Sequence, residues 1–208
     1  MQTRIFGTHL LTIAVATILA TQSILAPNSA IGQESEKGKN PQVELETTMG
    51  NFVIELNQEK APKTVANFLQ YVKDGHYKDT VFHRVIADFM IQGGGMDANL
   101  KEKETRPPVV NEAGNGLRNK KYTVAMARTS DPNSATSQFF VNVADNGYLD
   151  RNNAQNQAGY TVFGKVVKGM DVVDQIGKVE TRTVAARGLM RDVPAKTITI
   201  KEARLLKN

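Results

Sequence analysis

Residues Phe82 to Gly95, FHRVIADFMIQGGG, set one arginine among aromatic and thioether side chains, with a glutamine eight positions further on. Such a set can hold an apolar, uncharged group against a single strong donor, which is not how ordinary hydrolases are built. The run divides into two short strands, Val81–Val85 and Phe89–Gln92, joined by Ile86-Ala87-Asp88. Alternation sends Arg84 to the face opposite His83 and Val85, and gives Met90 and Gln92 a face opposite Phe89 and Ile91. Alternation alone therefore does not gather Phe89, Met90 and Gln92 into one pocket. A bend or bulge near the three glycines is required, and Gly93-Gly94-Gly95 is where one is permitted. The plainer alternative is two core strands and a turn, with Arg84 a surface charge.

A second segment bears on the choice. Val124–Val143, VAMARTSDPNSATSQFFVNV, has an apolar strand ending at Ala127, a polar turn through Asp131-Pro132-Asn133-Ser134, and a further strand opened by Gln138-Phe139-Phe140. Together the two segments resemble the cyclophilin family of peptidyl-prolyl cis-trans isomerases, particularly its bacterial secreted members. The resemblance runs from about Val43 to Leu206 with its elements in order, and the paired motifs are far more specific than a lone glycine pattern.

The resemblance implies that Arg84 is the catalytic arginine and Gln92 its hydrogen-bonding companion. It places Phe89, Met90, Phe140 and Leu149 around a proline pocket and Ala127, Arg128 and Gln138 along the groove for the substrate backbone. His83, Tyr148 and Tyr160 also match positions of the binding region. Tyr148 stands where a tryptophan is common, Tyr160 where a histidine is common, and Arg128 where an asparagine is frequent. The arginine and the pocket are retained, so isomerase activity is expected, with weakened binding of the cyclic peptide cyclosporin. A peptide-binding chaperone or scaffold using the same groove is the competing reading, and intact Arg84 and Gln92 favour the enzyme.

Working outward, Val43–Thr47 and Asn51–Leu56 alternate as a hairpin around Thr48-Met49-Gly50. Pro62 opens a helix whose Val65, Phe68, Leu69 and Val72 stand at i, i+3, i+4 and i+7, and Gly75 closes it. Strands follow at Tyr122–Ala127, Gln138–Val143 and Tyr160–Val167, then a short helix at Met170–Ile176 and a last strand at Thr197–Arg204. Many strands separated by turns, with two helices, indicate a mainly β protein with an antiparallel sheet closed on itself. Similarity to the cyclophilins makes this a closed eight-stranded antiparallel β-barrel capped by two α-helices.

Residues 1–32 carry one cation, Arg4, no acidic residue, and an apolar stretch from Leu10 to Ala20 that continues patchily to Ala26. This reads as a secretory signal peptide, with Ala30-Ile31-Gly32 as the small-x-small site, although cleavage after Ala30 also fits. A retained membrane anchor is the alternative; polar residues interrupt the stretch, which falls short of the roughly 20 residues a span needs. Polar residues 33–42 read as a flexible tether and 43–207 as the isomerase domain. Export to the periplasm as a monomer is the expectation.

Without the leader, the chain has 25 basic and 21 acidic residues, a mild net charge of +4 with both signs interspersed, which gives little support to nucleic-acid binding. The absence of cysteine excludes disulfides, thiolate metal sites and cysteine nucleophiles. His76 and His83 are the two histidines beyond the leader, with no acidic partners at a metal-binding spacing. No nucleophile elbow accompanies His83, and no lysine of a phosphate loop follows Gly93–Gly95. Neither a metal nor a cofactor is expected, and the expected partners are proline-containing polypeptides.

Overall fold

The computed structural model describes residues 40–207 apart from 156 and 187. The expected leader and nearly all of the expected tether lie outside them. The elements run β1 (Gln42–Thr47), β2 (Gly50–Leu56), α1 (Pro62–Lys73), β3 (Thr80–Ile86), β4 (Met90–Gly93), β5 (Thr123–Met126), β6 (Phe139–Asn142), β7 (Val162–Lys168), α2 (Met170–Ile176), β8 (Thr181–Ala185), β9 (Leu189–Pro194) and β10 (Thr199–Leu205). Eight strands close a barrel in the order β1-β10-β3-β4-β6-β5-β7-β2, every neighbouring pair antiparallel. The eight-stranded barrel with two helices is therefore as expected.

Alternation builds the inside. Val43, Leu45, Phe52, Ile54, Phe82, Val85, Ile91, Val124, Phe139, Val141 and Phe163 send their side chains into one buried cluster. Helix α1 contributes Val65, Phe68, Tyr71 and Val72 to the same cluster, and α2 contributes Val173 and Ile176. Pro62 at the first turn of α1 is preset for a helix, and the chain leaves through Gly75 at φ +67°, a conformation glycine adopts without steric cost. Phe68 sits at the centre, within 5.1 Å of the rings of both Tyr77 and Phe163 and edge-on to Phe139 at 5.7 Å.

Two features depart from the sequence reading. Pro41 and Gln42, assigned to the tether, belong to the fold: the Pro41 carbonyl accepts the Leu56 N–H and Gln42 opens β1. The stretch between α2 and β10, which no strand pattern marked, forms the β8–β9 hairpin, a separate two-stranded sheet outside the barrel. Its strands are too polar and too exposed to alternate clearly, with Arg182, Thr183, Ala185 and Leu189 all facing solvent.

Candidate active site

The register of the barrel creates a second, outward-facing cluster. Arg84 pairs with Gln92, Gln92 with Phe140, and Phe140 with Ala125, so these four residues form one row across β3, β4, β6 and β5. Met90, Ala125, Phe140 and Val162 are buried together there, on the face opposite the barrel core, with Ile86, Phe89, Leu117, Ala127, Leu149 and Tyr160 packed against them.

Arg84 reaches this row through an irregularity. Between Phe82 and Arg84 the strand β3 advances two residues while β4 advances one, from Gly93 to Gln92. His83 is the extra residue of a β-bulge. In a regular strand Phe82 and Arg84 would share a face; here Phe82 points into the barrel and Arg84 out of it. The backbone does bend at the three glycines, where Gly94 stands at φ +84°, but the irregularity that turns Arg84 is the bulge in the neighbouring strand β3. Phe89 needs no bend, because it sits in the turn before β4, following Asp88 at φ +55°, where strand alternation does not govern it.

His83 itself is 4% exposed and its Nδ1 has no hydrogen-bond partner. Burial lowers its pKa to about 4, aided by the adjacent Arg84 charge and opposed by a hydrogen bond to the Val81 backbone. The ring is neutral and enclosed, and as the extra residue of the bulge His83 stands beside Arg84 rather than in the row of Gln92 and Phe140.

The polar side of the groove also differs from expectation. Gln92 does not hydrogen-bond Arg84; its Nε2 donates to Gln138 Oε1 at 3.0 Å. Gln138 lies two residues before Phe140, the register partner of Gln92, and this diagonal is within reach of two long side chains. Gly95 makes room for it, since a Cβ there would overlap the Gln138 side chain. Arg84 instead has Asp192 of the β8–β9 hairpin beside it, Oδ2 at 3.9 Å from Nε. A cavity of about 290 Å³ opens alongside, lined by Gln92, Ala127, Arg128, Gln138 and others. The hollow of about 520 Å³ flanked by Arg118 and Arg151 is larger but contains none of the row residues.

The far rim is aromatic. Tyr160 meets Phe140 edge-on at 5.7 Å, and the Arg128 guanidinium covers the Tyr160 ring at 4.4 Å while Nε and Nη2 both donate to the Gly159 carbonyl. Tyr148, 57% exposed, lies over Phe89 at 5.8 Å.

A buried amide network fixes the Phe89 turn and the short 3₁₀ turn that carries Tyr148 and Leu149. Asn146 Nδ2 donates to the Phe89 carbonyl at 2.8 Å and to Asn142 Oδ1 at 2.7 Å. Asn142 in turn donates to Asn119 Oδ1, and Asp150 Oδ1 accepts both the backbone and the side-chain N–H of Asn119. The sequence reading missed this network, together with Leu117, Ala125, Val162 and Asp192. Ala125 and Val162 could have been found by alternation from Ala127 and Phe163; Leu117 and Asp192 carried no pattern.

Among the described residues there is no group of three His, Asp or Glu side chains placed to hold a metal, and no helix long and apolar enough to cross a membrane.

Comparison with known proteins gives a consistent picture. Residues 42–205 match the family described as cyclophilin type peptidyl-prolyl cis-trans isomerase/CLD. The chain is 55% identical over 165 residues to the peptidyl-prolyl cis-trans isomerase cyp18 of Streptomyces antibioticus, covering 79% of this chain and 98% of that protein. It is 49% identical to the peptidyl-prolyl cis-trans isomerase B of Escherichia coli (strain K12), covering 76% and 96%. A crystal structure of a Cryptosporidium parvum cyclophilin type peptidyl-prolyl cis-trans isomerase, determined in the presence of the dipeptide Ala-Pro, superposes with a TM-score of 0.65 at 25% identity, covering 80% of this chain and 99% of that one.

Proposed function

The chain belongs to the cyclophilin-type peptidyl-prolyl cis-trans isomerases and has their activity; from that premise we propose that it acts on X-Pro bonds of exported polypeptides, assisting their folding, with Arg84 as the catalytic donor. The observation that carries the role of Arg84 is the bulge at His83, which turns it out of the barrel onto the row of Gln92 and Phe140.

Rotation about an X-Pro bond breaks amide resonance at a barrier of about 20 kcal/mol, so it takes roughly 10 to 100 s unaided. At the twisted transition state the proline nitrogen loses conjugation and becomes a better hydrogen-bond acceptor. A guanidinium beside it binds that state more strongly than the planar one, which lowers the barrier without any proton transfer. Met90, Phe140, Phe89 and Leu149 supply the apolar socket for the pyrrolidine ring. Gln92 and Gln138, held to each other, present amide groups to the substrate backbone.

A protease-coupled assay on a proline peptide tests this reading. Arg84→Ala is expected to lower kcat/KM at least about tenfold with the fold intact, because one charge-assisted hydrogen bond is worth about 1.5 to 3 kcal/mol. Near-normal turnover in the folded variant removes Arg84 from the mechanism. The assignment to exported substrates rests on the sequence of residues 1–32, and mass spectrometry of the periplasmic fraction checks it: a monomer beginning near Ile31 or Gln33 is expected, whereas full-length chain in membranes points to an anchor.

A further inference from the structure

We propose that Asp192, on the hairpin outside the barrel, is a positioning residue for Arg84 and thereby for the isomerisation; the proposal rests on the catalytic role given to Arg84 above. Three observations lead to it.

The first is placement. Gln92 is committed to Gln138, and the charged partner Arg84 has among the described residues is Asp192, with Oδ2 3.9 Å from Nε. A carboxylate on the Nε side of a guanidinium leaves the Nη groups available to another acceptor, and Arg84 itself stands in the row of Gln92 and Phe140.

The second is the backbone of β9. Arg182 pairs with Val193 and Val184 with Met190, so β9 carries one residue more than β8 across the same interval. Asp192 lies in that bulge at φ +60°, left-handed backbone that a branched or bulky residue rarely adopts and that aspartate tolerates. Bulges re-aim side chains. Val193 and Pro194, both buried, anchor the strand immediately after it.

The third is what Arg84 lacks. Its side chain is 42% exposed, so a long chain with several rotatable bonds is packed on one side only. A carboxylate beside it biases it toward one conformer, which reduces the ordering required as the twisted transition state forms. Because Asp192 is itself 40% exposed and its contact is longer than a hydrogen bond, the effect is modest.

The test is a double-mutant cycle with Arg84→Ala, read by kcat/KM on a proline peptide. Asp192→Asn keeps the size and the tolerance of left-handed backbone while removing the charge; Asp192→Gly keeps the backbone while removing the side chain. Both are expected to lower kcat/KM about two- to fivefold, mainly through kcat, and to have no further effect in the Arg84→Ala background. In the substrate-free protein, the Arg84 Nε–H resonance is expected to shift in Asp192→Asn. Wild-type turnover in Asp192→Asn, an equal fractional loss in both backgrounds, or an unmoved Arg84 resonance overturns the proposal. The two readings fail differently: a nearly normal Arg84→Ala overturns the role of Arg84, while a crippled Arg84→Ala beside a neutral Asp192→Asn overturns Asp192 alone.

Discussion

Gln92 and Gln138 are joined side chain to side chain, Gln92 Nε2 donating to Gln138 Oε1 at 3.0 Å. The bond links the middle of β4 to the residue preceding β6, two neighbouring strands of the barrel. Each glutamine thereby fixes the direction of the other, so the groove presents a defined pair of amides.

Gln92→Leu and Gln138→Leu are each expected to lower kcat/KM, and together to lower it by less than the product of the two. The shortfall measures the coupling of one neutral hydrogen bond, about 0.5 to 1.5 kcal/mol. A double-mutant cycle on proline-peptide turnover reads it, and strict additivity means the two amides act independently.

Stability should fall on acidification. His83 binds its proton at about 4 in the folded protein and at its ordinary 6.5 when unfolded, so between those values the unfolded chain holds more protons. The stabilisation is fully present above pH 6.5 and is lost as the pH drops toward 4, by about 3 kcal/mol at most. His76, lowered by burial and the nearby Lys103 charge, adds in the same direction. Urea midpoints across this range check the slope, which should flatten in a folded His83→Gln variant.

Asn146→Ala should destabilise the protein by about 1 to 3 kcal/mol, because the buried Asn142 Oδ1 loses a donor. The same change frees the turn at Phe89, whose carbonyl keeps only its bond from the Val143 N–H among the described residues, so KM should rise as well. Thermal melts and steady-state kinetics on the same sample separate the two effects.

Cyclosporin should bind weakly, and Tyr148→Trp should recover part of the affinity. The exposed phenol lies over Phe89, where an indole would offer a longer-reaching donor and a larger apolar face. One neutral hydrogen bond with its contact area corresponds to a deficit of roughly tenfold or more. Titrating the inhibitor against both proteins decides the point, with turnover expected to change far less.

Much of this was legible in the chain because strands and helices write their burial into a period. Val65, Phe68 and Val72 marked one face of α1, and Phe139 and Phe140 announced a strand apolar on both sides. What escaped was set by register. His83 and Arg84 are adjacent letters in an apparently regular strand, and only the pairing of Phe82 with Gly93 and Arg84 with Gln92 reveals the extra residue between them. Asp192 was invisible for the same reason, since its nearness to Arg84 spans more than a hundred positions and depends on a bulge in an exposed strand. The Asn119, Asn142 and Asn146 network is scattered polar sequence until the loops that carry it are folded together.

Strand β10 sits between β1 and β3, and its end meets the beginning of the sheet where the Leu206 N–H donates to the Gln42 carbonyl. Until β10 has been synthesised, β1 and β3 are both unpaired on that side and the cylinder is an open sheet. Closure by the last strand means that a partly made chain cannot complete its core, however long the ribosome pauses.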